Sequence, residues 1–546
     1  MAHVALVGPE IEENLSLRYI ASSLARAGYS TDIVPFNREA DFSSALAAIL
    51  GAPNPPLIVG VSLAFQWRAH DFLAFAVALR DGGYRGHITL GGHFATFACR
   101  EILTDFPEVD SICRQEAEDT MVTLTRSVES GAPLTEIPGL ALHTTDGDVM
   151  LTPHPALPDL KTLPWPDRRG KPAACFGHGI APLVSSRGCY ANCTFCCIAA
   201  WHEQSLPGKR YRVRDVEAVA DEMVWLKQNR NIDIFVFHDD NFFVPGHRQN
   251  RERMNALADA LEARNIGPYA TVVKARPTDC DPQVFSILRR RLHCIRVYIG
   301  VETDADQGLH TLRRWSSSQQ NHKAIKLVRD LDLYTCFNML IFDPDTTIES
   351  LETNIAFLRF APEFPSNFGR VELYAGTPLL DRMQAEGRCR GDYMQWDYSL
   401  GNAEVERVFA LSMDCFMERN FGNEALANRI MGTRFDIEVA RHFHPDLHEP
   451  AWLDEGQELT RILTLDTAMG LEAIVEHVKR NAPQSEDERL VREISATLRA
   501  TEQHVRGRAK DLARNIATKL GRGRPLTEIG DRVATPLQTQ RETARA

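Results

Sequence analysis

Cys189, Cys193 and Cys196 lie within Arg187-Gly-Cys189-Tyr-Ala-Asn-Cys193-Thr-Phe-Cys196, a C-x₃-C-x₂-C spacing. Three thiolates packed this closely suit an iron–sulfur cluster, whose usual protein ligand is cysteine sulfur. Three ligands on a four-iron cluster leave one iron open to a further molecule. Zinc is the competing reading, with Cys197 offering a fourth thiol. Structural zinc, however, normally takes paired C-x₂-C knuckles across a spacer, and no partner pair follows. Side chains of adjacent Cys196 and Cys197 also point in different directions. The isolated Cys280, Cys294, Cys336, Cys389 and Cys415 read as structural, since a free cysteine behaves mostly as a small buried hydrophobe.

Strand and helix signals around the triplet alternate, and the triplet follows a predicted strand at Leu183–Ser186. Further strands are expected at Ile232–His238, Tyr269–Ala275, Cys294–Val301, Cys336–Phe342 and Gly369–Tyr374, with helical segments between them. Six such repeats fit a partial (β/α)₆ TIM-like barrel, where chemistry gathers on loops at the carboxyl ends of strands. The first 130 or so residues alternate in the same way. Strands are expected at His3–Gly8, Thr31–Phe36, Leu57–Leu63, His87–Leu90 and Ser111–Arg114, which implies a second, Rossmann-like parallel sheet. The chain therefore reads as α/β in four parts: 1–131 Rossmann-like, 132–180 a Pro-rich irregular connector, 181–380 the barrel, and 381–546 mostly helical with a disordered polar tail.

The triplet, with Phe195 just before its last cysteine, resembles the signature of the radical S-adenosylmethionine (SAM) superfamily. The resemblance implies that Cys189, Cys193 and Cys196 hold a [4Fe-4S] cluster whose open iron chelates SAM, and that reductive cleavage yields a 5′-deoxyadenosyl radical. Two other stretches agree. Phe237-His-Asp239-Asp240-Asn241-Phe242 sits where family members contact the methionyl amino group, and Gly300-Val301-Glu302-Thr303 resembles a G-x-E-[ST] element beside the ribose. Acidic residues at strand ends also serve as simple helix caps. The chain departs from the family at Ile341-Phe-Asp-Pro-Asp-Thr-Thr347, which lacks the usual glycines, whereas Gly376-Thr-Pro378 matches a common ending.

The first strand ends in Gly8-Pro-Glu-Ile-Glu-Glu-Asn14, not G-x-G-x-x-G, which disfavours a dinucleotide. The order of elements instead resembles the cobalamin-binding domain joined to many radical SAM enzymes. That resemblance implies cofactor contacts at Asn14, Ser62 and Gly91-Gly92-His93-Phe-Ala-Thr96, where glycines let backbone approach a ligand. Domains that ligate cobalt from below carry D-x-H-x-x-G after the first strand, which is absent here. Cobalt then lacks a histidine on its lower face, and Gln66 and Trp67 become the residues expected beneath the corrin. A loop aromatic capping a core, and a hydrogen-bonded loop histidine at His93, account for those side chains equally well.

What the resemblance implies is a cobalamin-dependent radical SAM methyltransferase. It would move a methyl from SAM, via methylcobalamin, to an unactivated carbon of a natural-product or peptide substrate. Cyclisation or rearrangement with the same cofactors is the alternative, and a non-catalytic cobalamin sensor is a third. An electron donor such as flavodoxin or ferredoxin is implied. The helical C-terminal part is expected to act as a lid. The formal charge of -12 over 546 residues excludes a nucleic-acid-coating role. No apolar run reaches the length of a membrane span, and no signal peptide is evident. Twelve cysteines without an export signal point to a reducing, cytoplasmic setting.

Overall fold

The computed structural model describes residues 3–204, 210–422 and 425–525. The disordered tail expected at the C-terminus lies mostly outside these residues. The chain divides into two compact units. The first is Met1–Lys171 with Ser186–Asp215 and Leu373–Asp397; the second is Pro172–Ser185 with Val216–Glu372 and Tyr398–Ala546.

In the first unit, β1 (His3–Gly8), β2 (Ser30–Pro35), β3 (Ile58–Ser62), β4 (His87–Gly91) and β5 (Ser111–Cys113) form a parallel sheet. Their order is β2-β1-β3-β4-β5. The apolar runs Val4–Val7 and Ile58–Val61 are buried or nearly so, as expected for strands covered on both faces. Register aligns the carboxyl ends: Ser62 pairs with Gly91, and Gly91 with Cys113.

The stretch expected to be irregular extends this sheet. It supplies β6 (Leu140–His143) and β7 (Val149–Leu151), an antiparallel hairpin added beyond β5. Strands of three and four residues are too short to show alternation, although Gly147 in left-handed backbone marks the turn. Farther on, Arg168 pairs with Glu13, and the Arg18 guanidinium donates to the Asp167 carbonyl at 2.8 Å, tying this stretch to the first helix.

The second unit starts with β8 (Ala173–Cys175) and β9 (His178–Leu183). Next come β10 (Ser186–Gly188) and β11 (Tyr211–Val213), a separate two-stranded ribbon that belongs to the first unit. Then β12 (Ile232–Phe237), β13 (Ala270–Ala275), β14 (Cys294–Ile299), β15 (Tyr334–Phe342) and β16 (Ser366–Arg370) complete the second sheet. Its order is β16-β15-β14-β13-β12-β9-β8, parallel except for β8. Six parallel strands in sequential order make the expected partial barrel. The strand before the triplet lies earlier than the spacing predicts, because its pairing with β12 begins at Gly179.

Helices Ala403–Phe421, Leu426–Phe443, Pro450–Lys479 and Asp487–Leu520 follow. Helix Leu426–Phe443 is built into the core, not held as a lid. Leu426, Ile430, Phe435, Ile437 and Val439 share one cluster with Ile234, Val272, Ile295 and Cys336 of the sheet. Burying five large apolar side chains is worth about 1.5–3 kcal/mol each, which opposes displacement of this helix. Among the described residues no helix is long and apolar enough to cross a membrane.

Candidate functional site

The cysteines leave the two-stranded ribbon directly. In β10 and β11, Arg187 faces Arg212 and Gly188 faces Tyr211. Gly188 has φ +86°, and a Cβ there would collide with the Arg210 carbonyl, so the chain enters the cysteine loop only with glycine at that position. The Ala191 amide donates to Cys189 Sγ at 3.4 Å, and the Cys196 amide to the Cys193 carbonyl at 3.3 Å. Helix Cys197–Glu203 then closes the loop. Arg210 donates to the Ala191 carbonyl at 2.7 Å and pairs with Glu203 at 2.7 Å, clamping the loop to that helix. From the third piece of the unit, the Leu379 amide donates to the Thr194 carbonyl at 2.9 Å.

All twelve cysteines are free thiols. Burial pushes the Cys196 thiol up to about 12, with a backbone hydrogen bond from Ala199 offsetting part of the rise. Only a metal that takes the place of the proton makes such a sulfur a thiolate at neutral pH. Among the described residues no three His, Cys, Asp or Glu side chains come close enough to hold one ion. The donor set, three sulfurs in a C-x₃-C-x₂-C loop, fits an iron–sulfur cluster. Phe195 is half-buried within the loop.

At the carboxyl ends of β12 and β14 the second unit places its acids. Asp239 is fully buried and accepts from both the amide and the hydroxyl of Ser185, the latter at 2.7 Å. Arg253 donates to Ser185 Oγ and to the Phe242 carbonyl. Asp239 therefore knits β12 to the end of β9, while Asp240 beside it is exposed. Asn241 is buried, and its Oδ1 accepts from the Phe243 amide at 3.3 Å.

Glu302 stands in left-handed backbone at φ +63°, bridged to Met339 of β15. Such a conformation costs of order 1–3 kcal/mol for a non-glycine residue and persists only where its surroundings impose it. A Cβ at Gly300 would lie 3.0 Å from Glu302 Oε1, so the glycine of the G-x-E element leaves room for the carboxylate. Burial pushes the Glu302 carboxyl above the usual range, and Arg314, 4.0 Å away, pulls it back in part.

Around the carboxyl ends of the first sheet the side chains are small. A Cβ at Gly8 would sit 3.1 Å from Ser62 Cβ and 3.5 Å from Asn14 Nδ2, which places these three together. Asn14 caps helix Leu15–Arg26, accepting from the Leu17 amide and donating to the Pro9 carbonyl at 3.1 Å. Ser62 is half-buried, and its hydroxyl makes no hydrogen bond among the described residues. Gly92 has φ +109°, and a Cβ there would lie 2.9 Å from the Leu63 and Ala64 backbone. Thr96 is buried, and its hydroxyl accepts from the Gln115 amide at 3.2 Å. The His93 ring lies tilted against Trp201, with centroids 4.8 Å apart.

In the loop after β3, Gln66 is buried and its Oε1 has no hydrogen-bond partner among the described residues. An orphaned buried carbonyl costs about 1–3 kcal/mol, and a ligand amide or a water relieves it. Trp67 beside it is half-buried and stacks on the exposed Phe65. An open hydroxyl, an orphaned amide oxygen and glycine-lined strand ends suit a large, amide-bearing ligand such as a corrinoid.

Two protein families match the chain. Residues 3–125 match the B12 binding domain, and residues 183–358 match the radical SAM superfamily. The chain joins a B12-binding domain to a radical SAM domain. The chain is 24% identical over 400 residues to the anaerobic magnesium-protoporphyrin IX monomethyl ester cyclase of Cereibacter sphaeroides, covering 70% of the chain and 61% of the cyclase. It thus spans less than two thirds of that relative's length. It is 26% identical to the hopanoid C-3 methylase of Methylococcus capsulatus, over 67% of each protein. Its fold matches the radical SAM methyltransferase TsrM from Kitasatospora setae, solved with cobalamin and a [4Fe-4S] cluster, at TM-score 0.58 and 17% identity, over 71% of this chain and 75% of TsrM.

Three polar residues of the later chain make their contacts elsewhere. His442 contacts the Tyr269 carbonyl, and His444 contacts His178, where β13 and β9 begin and not where they end. Tyr393 donates to Asp105 at 2.8 Å in the first unit. Three functional-looking residues were not legible beforehand: Ser185, Glu116 and Arg314. Arg314 lies between two left-handed residues, Arg313 and Trp315, and no local sequence signal marks it.

Proposed function

We propose that this radical SAM chain is a cobalamin-dependent methyltransferase that moves a methyl from SAM to an unactivated carbon of a small natural product or peptide. The observation that carries the reading is that the cysteine ribbon Ser186–Asp215 folds within the same compact unit as the B12-type sheet. When bound, the cluster supplies reductive cleavage of SAM and the cobalamin supplies methyl carriage; the protein fixes distance and excludes water.

In this reading Cys189, Cys193 and Cys196 would hold the cluster, with Phe195 beside them in the same loop. Asp240 and Asn241 face the methionyl amino group. Asp239, committed to Ser185, sets their strand end. Glu302 accepts from the ribose hydroxyls. Ser62, Gly91, Gly92, His93 and Thr96, with Asn14, Gln66 and Trp67, are the residues that would hold the cobalamin. The loop Ala64–Arg68 contains no histidine. A flavodoxin or ferredoxin supplies electrons.

The likeness to the cyclase favours a second reading in which the same cofactors close a ring without methyl transfer. An anaerobic assay with reductant and SAM separates the two. Methyl transfer yields S-adenosylhomocysteine together with 5′-deoxyadenosine, whereas ring closure yields 5′-deoxyadenosine alone. Retained 5′-deoxyadenosine formation by Cys196→Ala would overturn both.

A further inference from the structure

Arg187 and Arg212 face each other across the two-stranded ribbon, and like charges directly opposite repel. A single carboxylate resolves the repulsion. Glu116 Oε2 accepts from Arg187 at 2.7 Å while its Oε1 pairs with Arg212. Glu118 adds a second ion pair to Arg187 at 2.7 Å, and the guanidinium lies over the Tyr19 ring at 4.7 Å. Both glutamate side chains are about 95% buried, so the pairs are screened little by water or salt. Burial pulls the Arg187 guanidinium pKa down, and Glu118 and Glu116 more than offset it, so the cation is held.

Glu116 is also the sequence neighbour of a residue that contacts the expected cobalamin loop. Its neighbour Gln115 stands in left-handed backbone at φ +66°, and the Gln115 amide donates to Thr96 Oγ1. A chain of direct contacts thus runs from Thr96 through Gln115 and Glu116 to Arg187, two positions before Cys189. The far side of the cysteine loop has its own link, since the Trp201 ring lies tilted against His93 with centroids 4.8 Å apart. Both flanks of the triplet are therefore fastened to the segment Gly91–Thr96, and both fastenings lie within the first unit.

We propose that Glu116 is a positioning residue that couples the two cofactor sites, so that cobalamin on the Gly91–Thr96 loop holds the cysteine ribbon closed and slows loss of the cluster. This rests on the assignment of cobalamin and cluster made above. Coupling of this kind is reciprocal and typically changes an affinity 5- to 150-fold, roughly. Contiguity alone does not establish it, so the test must read coupling itself.

The full chain, anaerobically reconstituted, is mixed with a ferrous chelator, and iron release is followed with and without saturating hydroxocobalamin. The wild type is expected to lose iron about tenfold more slowly with hydroxocobalamin present. Glu116→Gln keeps the shape but removes the shared charge. It should still bind iron and hydroxocobalamin, each checked by visible absorption, yet show less than about twofold protection. Should that variant fail to fold, Trp201→Leu carries the same test from the other flank, with protection cut to about a third. Wild-type protection in a folded variant that binds both groups overturns the coupling and leaves the site assignment standing. A wild-type chain that binds only one of the two groups overturns the assignment and the coupling together.

Discussion

The two parallel sheets of this protein end differently. The first ends in glycines and small polar side chains: Gly8, Ser62, Gly91 and Gly92. The second ends in acids: Asp239 after β12, Glu302 after β14 and Asp343 after β15. Both obey the rule that parallel sheets bind ligands beyond the carboxyl ends of their strands. The difference teaches what each can hold. Glycine-ended strands let backbone come close to a large macrocycle, while buried acids suit the amino and hydroxyl groups of a small cationic molecule. The cysteine ribbon, although it sits between segments of the second sheet in sequence, packs with the glycine-ended one.

The comparison breaks most sharply at the cysteines. Cys196→Ala should abolish the cluster signal and bring 5′-deoxyadenosine below detection, while visible absorption still shows hydroxocobalamin binding. Next in size is Gly92→Val. Its left-handed backbone and the 2.9 Å approach to Leu63 and Ala64 impose strain of roughly 1–3 kcal/mol. Titration with hydroxocobalamin should show affinity lowered about 10- to 100-fold, with the iron content of the preparation unchanged.

Glu302→Gln probes the acid-ended sheet. Losing a hydrogen bond to a charged group costs about 1.5–3 kcal/mol, so SAM binding by calorimetry should weaken about tenfold or more. The same residue makes a pH prediction. Its carboxyl is raised in the folded state by burial, so the folded protein holds that proton more tightly than the unfolded chain. Its contribution to stability is full below the ordinary value of 4.5 and is lost as pH rises through the raised one. Denaturant midpoints measured from pH 4.5 upward should fall in the wild type by more than in Glu302→Gln. Smallest is Ser62→Ala, which removes one neutral hydrogen bond and should weaken hydroxocobalamin binding only a few-fold.

What was legible in the sequence is what is local in the chain. The cysteine spacing, the Gly300–Glu302 element and the apolar strands with their helices all read within ten or so residues. The hairpin β6–β7 escaped because its strands are too short for a period to show. The lid expectation failed because the helical pattern of Leu426–Phe443 does not say what the apolar face meets, and it meets the sheet. The Glu116 pairs were invisible because their partners lie 71 and 96 residues away, and a charged residue in a loop normally stays in water.

The central claim is that one chain carries a four-iron cluster on Cys189, Cys193 and Cys196 and a corrinoid on the glycine-ended sheet. Metal and corrinoid analysis of the anaerobically reconstituted full chain tests it most directly. The prediction is about four irons and one cobalamin per chain, with the iron lost in Cys196→Ala. Zinc bound at the three cysteines, or a chain that takes up no corrinoid, would contradict it.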